Sequence, residues 1–167
     1  PHARTRSYAL ARGVEQYKEG PHVHHPLDQM YSARDARLSP FHAKEKALGA
    51  VFFESAGWEI PQWYEANGPL LDAYDETWLD RKGWAARNWS PIVGAEHRTA
   101  RERAAIFDLS AITKLEVTGP GALVALQRLT ANQIDQPIGR VTYTSVLNDK
   151  GGIVCDLTVT RLANDRF

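Results

Sequence analysis

The 167-residue sequence has a single cysteine, Cys155, and no excess of charge, since 20 acidic residues balance 20 lysines and arginines. One cysteine excludes a disulfide within the chain, and balanced charge argues against the basic surface with which proteins bind nucleic acid. No apolar stretch reaches the roughly 18 to 20 residues of a membrane-spanning helix, and no signal-peptide pattern opens the chain. We therefore expect a soluble protein of the cytoplasm, or of the mitochondrial matrix in a eukaryote, with neither nucleic acid nor membrane as a partner.

The remaining composition is that of a folded protein. Hydrophobic residues make up 43% of the chain and charged residues 24%, and a chain of this length can bury a core. The sequence begins at Pro1 instead of methionine and stops at Phe167, shortly after a strand-like run. We therefore expect a fragment of a longer protein.

Capping and propensity signals predict helices in the middle of the chain. Ser39-Pro40 and Ser90-Pro91 each place a capping serine before a proline, which favours a helix start, and Gly49 favours a helix end. A later segment is rich in alanine, with leucines along one side at Leu123, Leu126 and Leu129. The predicted helices are residues 40–48, 96–106 and 122–130.

Short β-rich runs predict strands over residues 51–54 and 114–118. The two strongest runs, 141–147 and 153–162, are joined by residues 148–152, whose glycines can take positive φ. We therefore predict a β-hairpin in the last part of the chain.

Other segments have no clear periodicity of hydrophobic residues. Residues 1–38 read as a connector, residues 56–61 as a turn, and residues 65–90 as mostly loop. The last of these segments contains three tryptophans, Trp78, Trp84 and Trp89. Because helices and strands mix without a βαβ repeat, the predicted fold class is α+β.

One acidic residue, Asp156, interrupts the second strand of the predicted hairpin. Side chains alternate across a strand, so one face takes Ile153, Cys155, Leu157 and Val159, and the other takes Val154, Asp156, Thr158 and Thr160. The first face is the expected core. Asp156 is then either a solvated residue, the common state of an aspartate, or a carboxylate aimed at a ligand, where it could orient an amine or accept its proton.

Other chemically active side chains give weaker signals. Tyr143, on the strand before the turn, could be an aromatic wall of the same site or a cross-strand packing residue. Cys155 should be buried and therefore unreactive. The histidines at positions 22, 24 and 25 lack the spacing of a zinc motif, so we predict no metal site.

Five short motifs follow one another in the second half of the chain. They are Phe107-Asp-Leu-Ser110, Lys114-Leu-Glu-Val-Thr-Gly-Pro120, Leu129-Thr-Ala-Asn132, Gly139-Arg-Val-Thr-Tyr-Thr-Ser-Val-Leu-Asn148 and Gly151-Gly-Ile-Val-Cys-Asp-Leu-Thr-Val-Thr160. Together they resemble the folate-binding aminomethyltransferase family, which includes the glycine cleavage T-protein. Upstream, Ser39-Pro-Phe, Leu48-Gly-Ala and Ala56-Gly-Trp-Glu-Ile-Pro61 are similar to the start of the same domain.

The N-terminal part of the chain resembles a different module. Residues 1–38 look like the C-terminal tail of an FAD-dependent amine oxidoreductase domain, and residues 62–95 also resemble enzymes in which both modules are fused, such as dimethylglycine and sarcosine dehydrogenases. The resemblance implies that residues 39–167 are the N-terminal portion of a folate-binding domain that is incomplete at its C-terminus.

The resemblance also implies roles for individual residues. Asp156 falls on the acid that assists folate chemistry and binds folate, and Tyr143 and Thr158 fall on further folate-binding positions. The T-protein pattern has two adjacent acids at this point, and here Cys155 stands in place of the first.

The implied reaction belongs to one-carbon metabolism. In the fused enzymes a flavin module oxidises an N-methyl amine, and tetrahydrofolate captures the carbon as 5,10-methylenetetrahydrofolate. The implied partners are therefore a small methylated amine, folate and a flavin oxidoreductase domain. FAD should bind outside this segment, because the segment contains no G-x-G-x-x-G motif.

Three alternatives stay open. The chain could come from a stand-alone aminomethyltransferase of glycine cleavage, or from a non-catalytic regulatory relative that kept the fold and lost the reaction. It could also belong to an enzyme of the same fold that demethylates something other than an amine. An acid in a strand favours an enzyme, because a site without a reaction has no physical need of it.

Overall fold

The computed structural model describes residues 5–74 and 81–167. By its internal contacts the chain divides into two compact units, Pro1–Ile112 and Thr113–Phe167. Helices and strands are mixed, in agreement with the predicted α+β class. No helix of the described ranges is long and apolar enough to cross a membrane. The predicted division at residues 38 and 39 stays a prediction.

In residues 5–74 and 81–112, the first unit has three α-helices, one hairpin and two 3₁₀-helices. Its elements, in chain order, are α1 (Arg6–Glu19), α2 (His42–Ala47), β1 (Ala50–Ser55), β2 (Trp58–Tyr64), the 3₁₀-helices Glu65–Ala73 and Gly83–Ala86, and α3 (Ile92–Glu102). Helices form at both predicted places, but α2 begins at His42, two residues after Pro40, and α3 begins at Ile92, before the predicted residue 96. Helix α3 ends at Glu102, earlier than the predicted residue 106.

Helix α1 corrects the prediction that the first residues are only a connector. Thr5 caps the helix, since its Oγ1 accepts the N–H of Tyr8 at 3.3 Å. Arg12 is buried, with its Nη2 3.1 Å from Oε2 of Glu54, and the Glu15 carboxylate accepts the N–H of Ser32 at 2.8 Å. The helix is anchored by polar contacts, which leave no apolar period in the sequence.

The hairpin of β1 and β2 corrects a second prediction. Only Ala56 and Gly57 form the turn, and both have positive φ, 50° and 84°, as a two-residue hairpin turn of the primed type requires. Residues 58–61, predicted as part of a longer turn, belong to β2. Pro61 lies where the register shifts, a place that tolerates proline within a sheet.

Helix α3 packs beside β2 and the first 3₁₀-helix. Its Ile92 and Ala95 are buried, as is Trp63 of β2. The Glu96 carboxylate accepts the N–H of Tyr64 at 3.0 Å and the side-chain amide of Asn67 at 2.7 Å. The described part of the loop predicted over residues 65–90 thus contains two 3₁₀-helices, and Trp78 lies outside the described residues.

The second unit contains α4 (Ala122–Leu129), β3 (Val141–Leu147) and β4 (Ile153–Thr160). The strands form an antiparallel hairpin, as predicted, with a register shift near the turn between Val146 and Leu147. Its buried core consists of Ala122, Leu126, Ile134, Val159 and Phe167. This core lies at the end of the hairpin away from the turn.

Two details of the second unit differ from the predictions. Leu129 is 56% exposed, because the buried side of α4 passes through Ala122 and Leu126, one helical turn apart. The strand predicted over 114–118 is reduced to a single bridge between Thr118 and Arg166. Val117 and Phe167 exchange backbone hydrogen bonds of 3.0 Å, so the pairing is too short for a regular strand.

Candidate functional site on the C-terminal hairpin

The turn between β3 and β4 is built by Asn148 and two glycines. The Asn148 Oδ1 accepts the N–H groups of Lys150 and Gly152, both at 2.9 Å. Gly151 has φ +77°, and a Cβ on Gly152 would lie 2.9 Å from the Asn148 side chain. The sequence Asn-Asp-Lys-Gly-Gly therefore fixes a compact turn, which in turn sets the register of the strands.

The register places the predicted site residues on one face of the hairpin. Tyr143 lies directly opposite Thr158, and Ser145 lies opposite Asp156. Because side chains alternate along each strand, Tyr143, Asp156 and Thr158 point to the same side. All three are exposed, so within this chain the face is open to solvent.

The Tyr143 hydroxyl donates a hydrogen bond of 2.8 Å to Oδ2 of Asp156. The two residues are diagonal neighbours, two positions away from direct register, a spacing that a tyrosine ring can bridge. The bond and the nearby negative charge raise the pKa of the Tyr143 hydroxyl. The Tyr143 hydroxyl therefore stays protonated at neutral pH, and its hydrogen bond holds the Asp156 carboxylate in one orientation.

Thr158 adds a hydroxyl to the same face. It belongs to β4 two residues after Asp156 and pairs with Tyr143 across the hairpin. The geometry thus collects an aromatic ring, a carboxylate and a hydroxyl, a set that can accept and donate hydrogen bonds to a polar heterocycle. The assignment of all three to folate stays a prediction.

Cys155 was expected to be buried in the core, and this is wrong, because the side chain is exposed. The core covers only the far half of β4, where Val159 is 7% exposed. Ile153, nearer the turn, is 71% exposed. The alternation of β4 is as predicted from Cys155 onward, but the register shift separates Ile153 from Cys155, and Cys155 lies outside the buried cluster.

A backbone-binding residue outside the predicted site supports β3. The Nδ2 of Asn132 donates to the carbonyl of Tyr143 at 2.7 Å, and the backbone N–H of Asn132 donates to Oγ1 of Thr144 at 3.0 Å. Thr144 is 1% exposed. Asn132 was noticed in the sequence only as the last residue of a motif, since a contact to a carbonyl far along the chain leaves no local pattern.

The histidines of the N-terminal part have structural surroundings. The His25 side chain is buried, stacks edge-on against Trp84 with ring centres 4.4 Å apart, and accepts the N–H of Leu27 at its Nδ1. The Nδ1 of His22 lies 3.3 Å from Oε2 of Glu19. Within the described part of the chain, no group of three potential metal ligands comes together.

Comparison with known proteins identifies relatives of the chain. Residues 41–167 match the family model of the GCVT N-terminal domain. The 4-methylaminobutanoate oxidase (formaldehyde-forming) of Paenarthrobacter nicotinovorans is 39% identical over 166 residues, which cover 99% of this chain and 19% of the relative. The mitochondrial pyruvate dehydrogenase phosphatase regulatory subunit of Mus musculus is 32% identical over 144 residues, which cover 85% of this chain and 16% of the relative. The chain thus spans less than a fifth of either relative.

Further comparisons agree with this family. Sarcosine dehydrogenases, dimethylglycine dehydrogenase and aminomethyltransferases are also relatives. The crystal structure of glycine cleavage system aminomethyltransferase T from Bartonella henselae superposes with a TM-score of 0.55 at 25% identity, over 79% of this chain and 30% of that one. The resemblance inferred from the motifs is therefore confirmed, and the chain belongs to the family of the GCVT N-terminal domain, with the fold of the glycine cleavage T-protein.

Proposed function

We propose that the chain is the folate-binding module of a flavin-dependent N-methyl amine dehydrogenase or oxidase of the dimethylglycine and sarcosine type. The one-carbon unit removed from the amine would pass to tetrahydrofolate and give 5,10-methylenetetrahydrofolate. The observation that carries this proposal is the hydrogen-bonded pair of Tyr143 and Asp156 on an exposed strand face. The name of one relative, a methylaminobutanoate oxidase that forms formaldehyde, agrees with a methylated amine as substrate.

The open hairpin face fits a flat, polar ligand such as the pterin of folate. Tetrahydrofolate supplies two amine nitrogens that can take up carbon at the oxidation level of formaldehyde. Asp156 would accept the proton that the attacking nitrogen loses, or would stabilise its positive charge before that loss. Tyr143 would hold the carboxylate in place, and Thr158 would offer a hydrogen bond to the ring. No described residue is assigned to FAD, which we expect in another part of the protein.

Calorimetric titration with tetrahydrofolate tests the binding part of the proposal. We expect the intact natural protein to bind folate and its Asp156→Asn variant to bind it more weakly. Asp149→Asn is the matched control, because it removes the same charge from the exposed turn of the same hairpin. Equal folate affinities of the two variants would remove Asp156 from the site.

Product analysis in the intact natural protein tests the reaction. With a methylated glycine as substrate, we expect Asp156→Asn to lower the yield of methylenetetrahydrofolate by roughly 10²- to 10⁴-fold, the usual contribution of an acid–base residue. The released formaldehyde should rise by the amount of carbon that tetrahydrofolate no longer captures. Unchanged partition of the carbon between the two products would contradict a catalytic role of Asp156.

A regulatory role is the second candidate. The similarity to a phosphatase regulatory subunit favours it, because that relative is 32% identical over a stretch that covers 85% of this chain. A regulatory relative would show no folate-dependent carbon transfer in the intact protein. A stand-alone aminomethyltransferase would transfer carbon without any bound flavin, so the flavin content of the purified protein separates these functions.

A further inference from the structure

Asn132 makes contacts at the outer edge of β3, beside the candidate site. Its side-chain amide reaches the carbonyl of Tyr143 at 2.7 Å, and its backbone N–H reaches the Thr144 hydroxyl at 3.0 Å. One residue therefore fixes two successive positions of the strand. The first of these positions carries the ring that bonds Asp156.

The segment before Asn132 continues this contact towards helix α4. Thr130 forms an antiparallel bridge with Val146, and the N–H of Ala131 donates to the carbonyl of Ser145 at 2.9 Å. The Thr130 hydroxyl donates to the Leu126 carbonyl at 2.9 Å, at the end of the helix. Residues 130–132 thus act as a short clamp on the edge of β3, and Asn132 is its last member.

The ring of Tyr143 depends on this backbone support. It is 62% exposed, so packing restrains it little, in contrast with Thr144, which points into the unit and is 1% exposed. The position of the ring is then set by its bond to Asp156 and by the place of its own backbone. A displacement of about 1 Å in a catalytic group can lower a rate by roughly 10²-fold.

We propose that Asn132 is a positioning residue, whose side-chain amide holds the backbone of Tyr143 so that the tyrosine hydroxyl stays on Asp156. The claim that Asn132 holds the backbone of β3 rests on its contacts alone. Its consequence for carbon transfer rests on the proposed function.

The titration of the Tyr143 ring gives a direct test without any ligand. The bond to Asp156 raises the pKa of this tyrosine, so loosening the bond should lower that pKa. Ring-labelled tyrosine would be followed by NMR from pH 8 to 12, with the Tyr143 signal identified by its loss in Tyr143→Phe. We expect Asn132→Ala to shift the pKa of Tyr143 towards that in Asp156→Asn.

Two further variants serve as controls. Asn132→Gln keeps an amide donor, so the pKa of Tyr143 should be closer to that of the unmodified chain than in Asn132→Ala. Gln133→Ala should leave the Tyr143 titration unchanged, because Gln133 bonds to Gln127 and Asp135 and makes no bond to β3. Asn132→Ser replaces Asn132→Ala if the alanine variant does not fold. Failure of both variants to fold would overturn the inference, since Asn132 would then be needed for folding itself.

The outcomes separate this inference from the proposed function. An unchanged Tyr143 titration in Asn132→Ala overturns the positioning role, whatever the protein binds. A shifted titration in a protein that does not bind tetrahydrofolate keeps the positioning role and removes the folate function. If both hold, Asn132→Ala should lower the methylenetetrahydrofolate yield of the intact protein by roughly tenfold to a hundredfold, with folate affinity nearly unchanged.

Discussion

At the scale of single residues, the pair of Arg34 and Glu59 is a polar anchor of the first unit. Glu59 is only 3% exposed, and its carboxylate accepts Arg34 Nε at 2.8 Å and the N–H of Asp35 at 2.9 Å. Arg34 also donates to the Phe52 carbonyl at 3.0 Å. The bond from Arg34 lowers the pKa of Glu59. The pair therefore ties an irregular segment to both strands of the first hairpin.

Removal of the Glu59 charge should be costly. We expect Glu59→Gln to lower the free energy of unfolding by about 3 kcal/mol, because it removes the buried carboxylate that pairs with the partly buried Arg34 guanidinium. Glu102→Gln breaks an exposed pair with Arg98 and should cost no more than about 1 kcal/mol. Urea denaturation at pH 7 measures both values. Similar values for the two variants would show that burial adds nothing to the Arg34–Glu59 pair.

At the scale of elements, the hairpin of the second unit depends on the conformation of its turn. Gly151 has φ +77°, with no atom within 4 Å of the place where a Cβ would lie. The cost of a side chain there is therefore one of backbone conformation, about 1–2 kcal/mol for most residues and less for asparagine. The turn needs glycine for its φ and not for space.

A series of variants at this turn separates the two causes. We expect Gly151→Ala to lower the free energy of unfolding by about 1 kcal/mol or more, and Gly151→Asn to lower it by less. Gly121→Ala is the control, because Gly121 has φ −98° and also has open space around it. The free energies come from urea denaturation. Equal losses for alanine and asparagine at position 151 would contradict the conformational explanation.

The elements also show how far the sequence alone leads. The hairpin and the shared face of Tyr143 and Asp156 could be predicted, because turn glycines and strand alternation are local signals. Helix α1 could not, since Arg12 and Glu15 anchor it through partners far along the chain. The exposure of Cys155 was missed because alternation gives the face of a residue and does not say whether anything covers it.

At the scale of the whole molecule, stability depends on carboxyl groups whose pKa values are shifted in opposite directions. The Arg34 bond lowers the pKa of Glu59, and the N–H of His25 lowers that of Asp28. Such groups contribute stability that is present above their ordinary pKa values and lost as the pH falls through the lowered values. Burial, and then the charge of Asp108, raise the pKa of Glu45. Glu45 contributes stability that is present below pH 4.5 and lost as the pH rises through its raised pKa.

Glu45→Gln should remove the loss of stability that Glu45 causes as the pH rises. Glu45 is 5% exposed, and Tyr64, His42 and Asp108 are the titratable groups that act on it. We expect the variant to gain stability relative to the unmodified chain as the pH rises from 4.5 to 7, by about 1–3 kcal/mol, the usual cost of an unsatisfied buried group. Urea denaturation across this range gives the difference. A difference that does not change with pH would show that Glu45 does not titrate there.

The family relationship concerns both units of the chain. The family match over residues 41–167 begins in the first unit and includes all of the second. The candidate site, by contrast, lies on one face of a single hairpin, with its Tyr143 and Asp156 exposed. Membership of the family is therefore a property of the fold, whereas the reaction has to be established at a few side chains.

The exposure of Cys155 gives the 167-residue chain one thiol that can be labelled. No second thiol exists in the 167-residue sequence, so a maleimide dye would attach at one defined place, next in the chain to Asp156. Because neighbouring side chains of a strand point to opposite faces, the dye would lie behind the candidate site and leave its surface free. A fluorophore there would turn the arrival of a small molecule into a change of emission, without replacing a single amino acid.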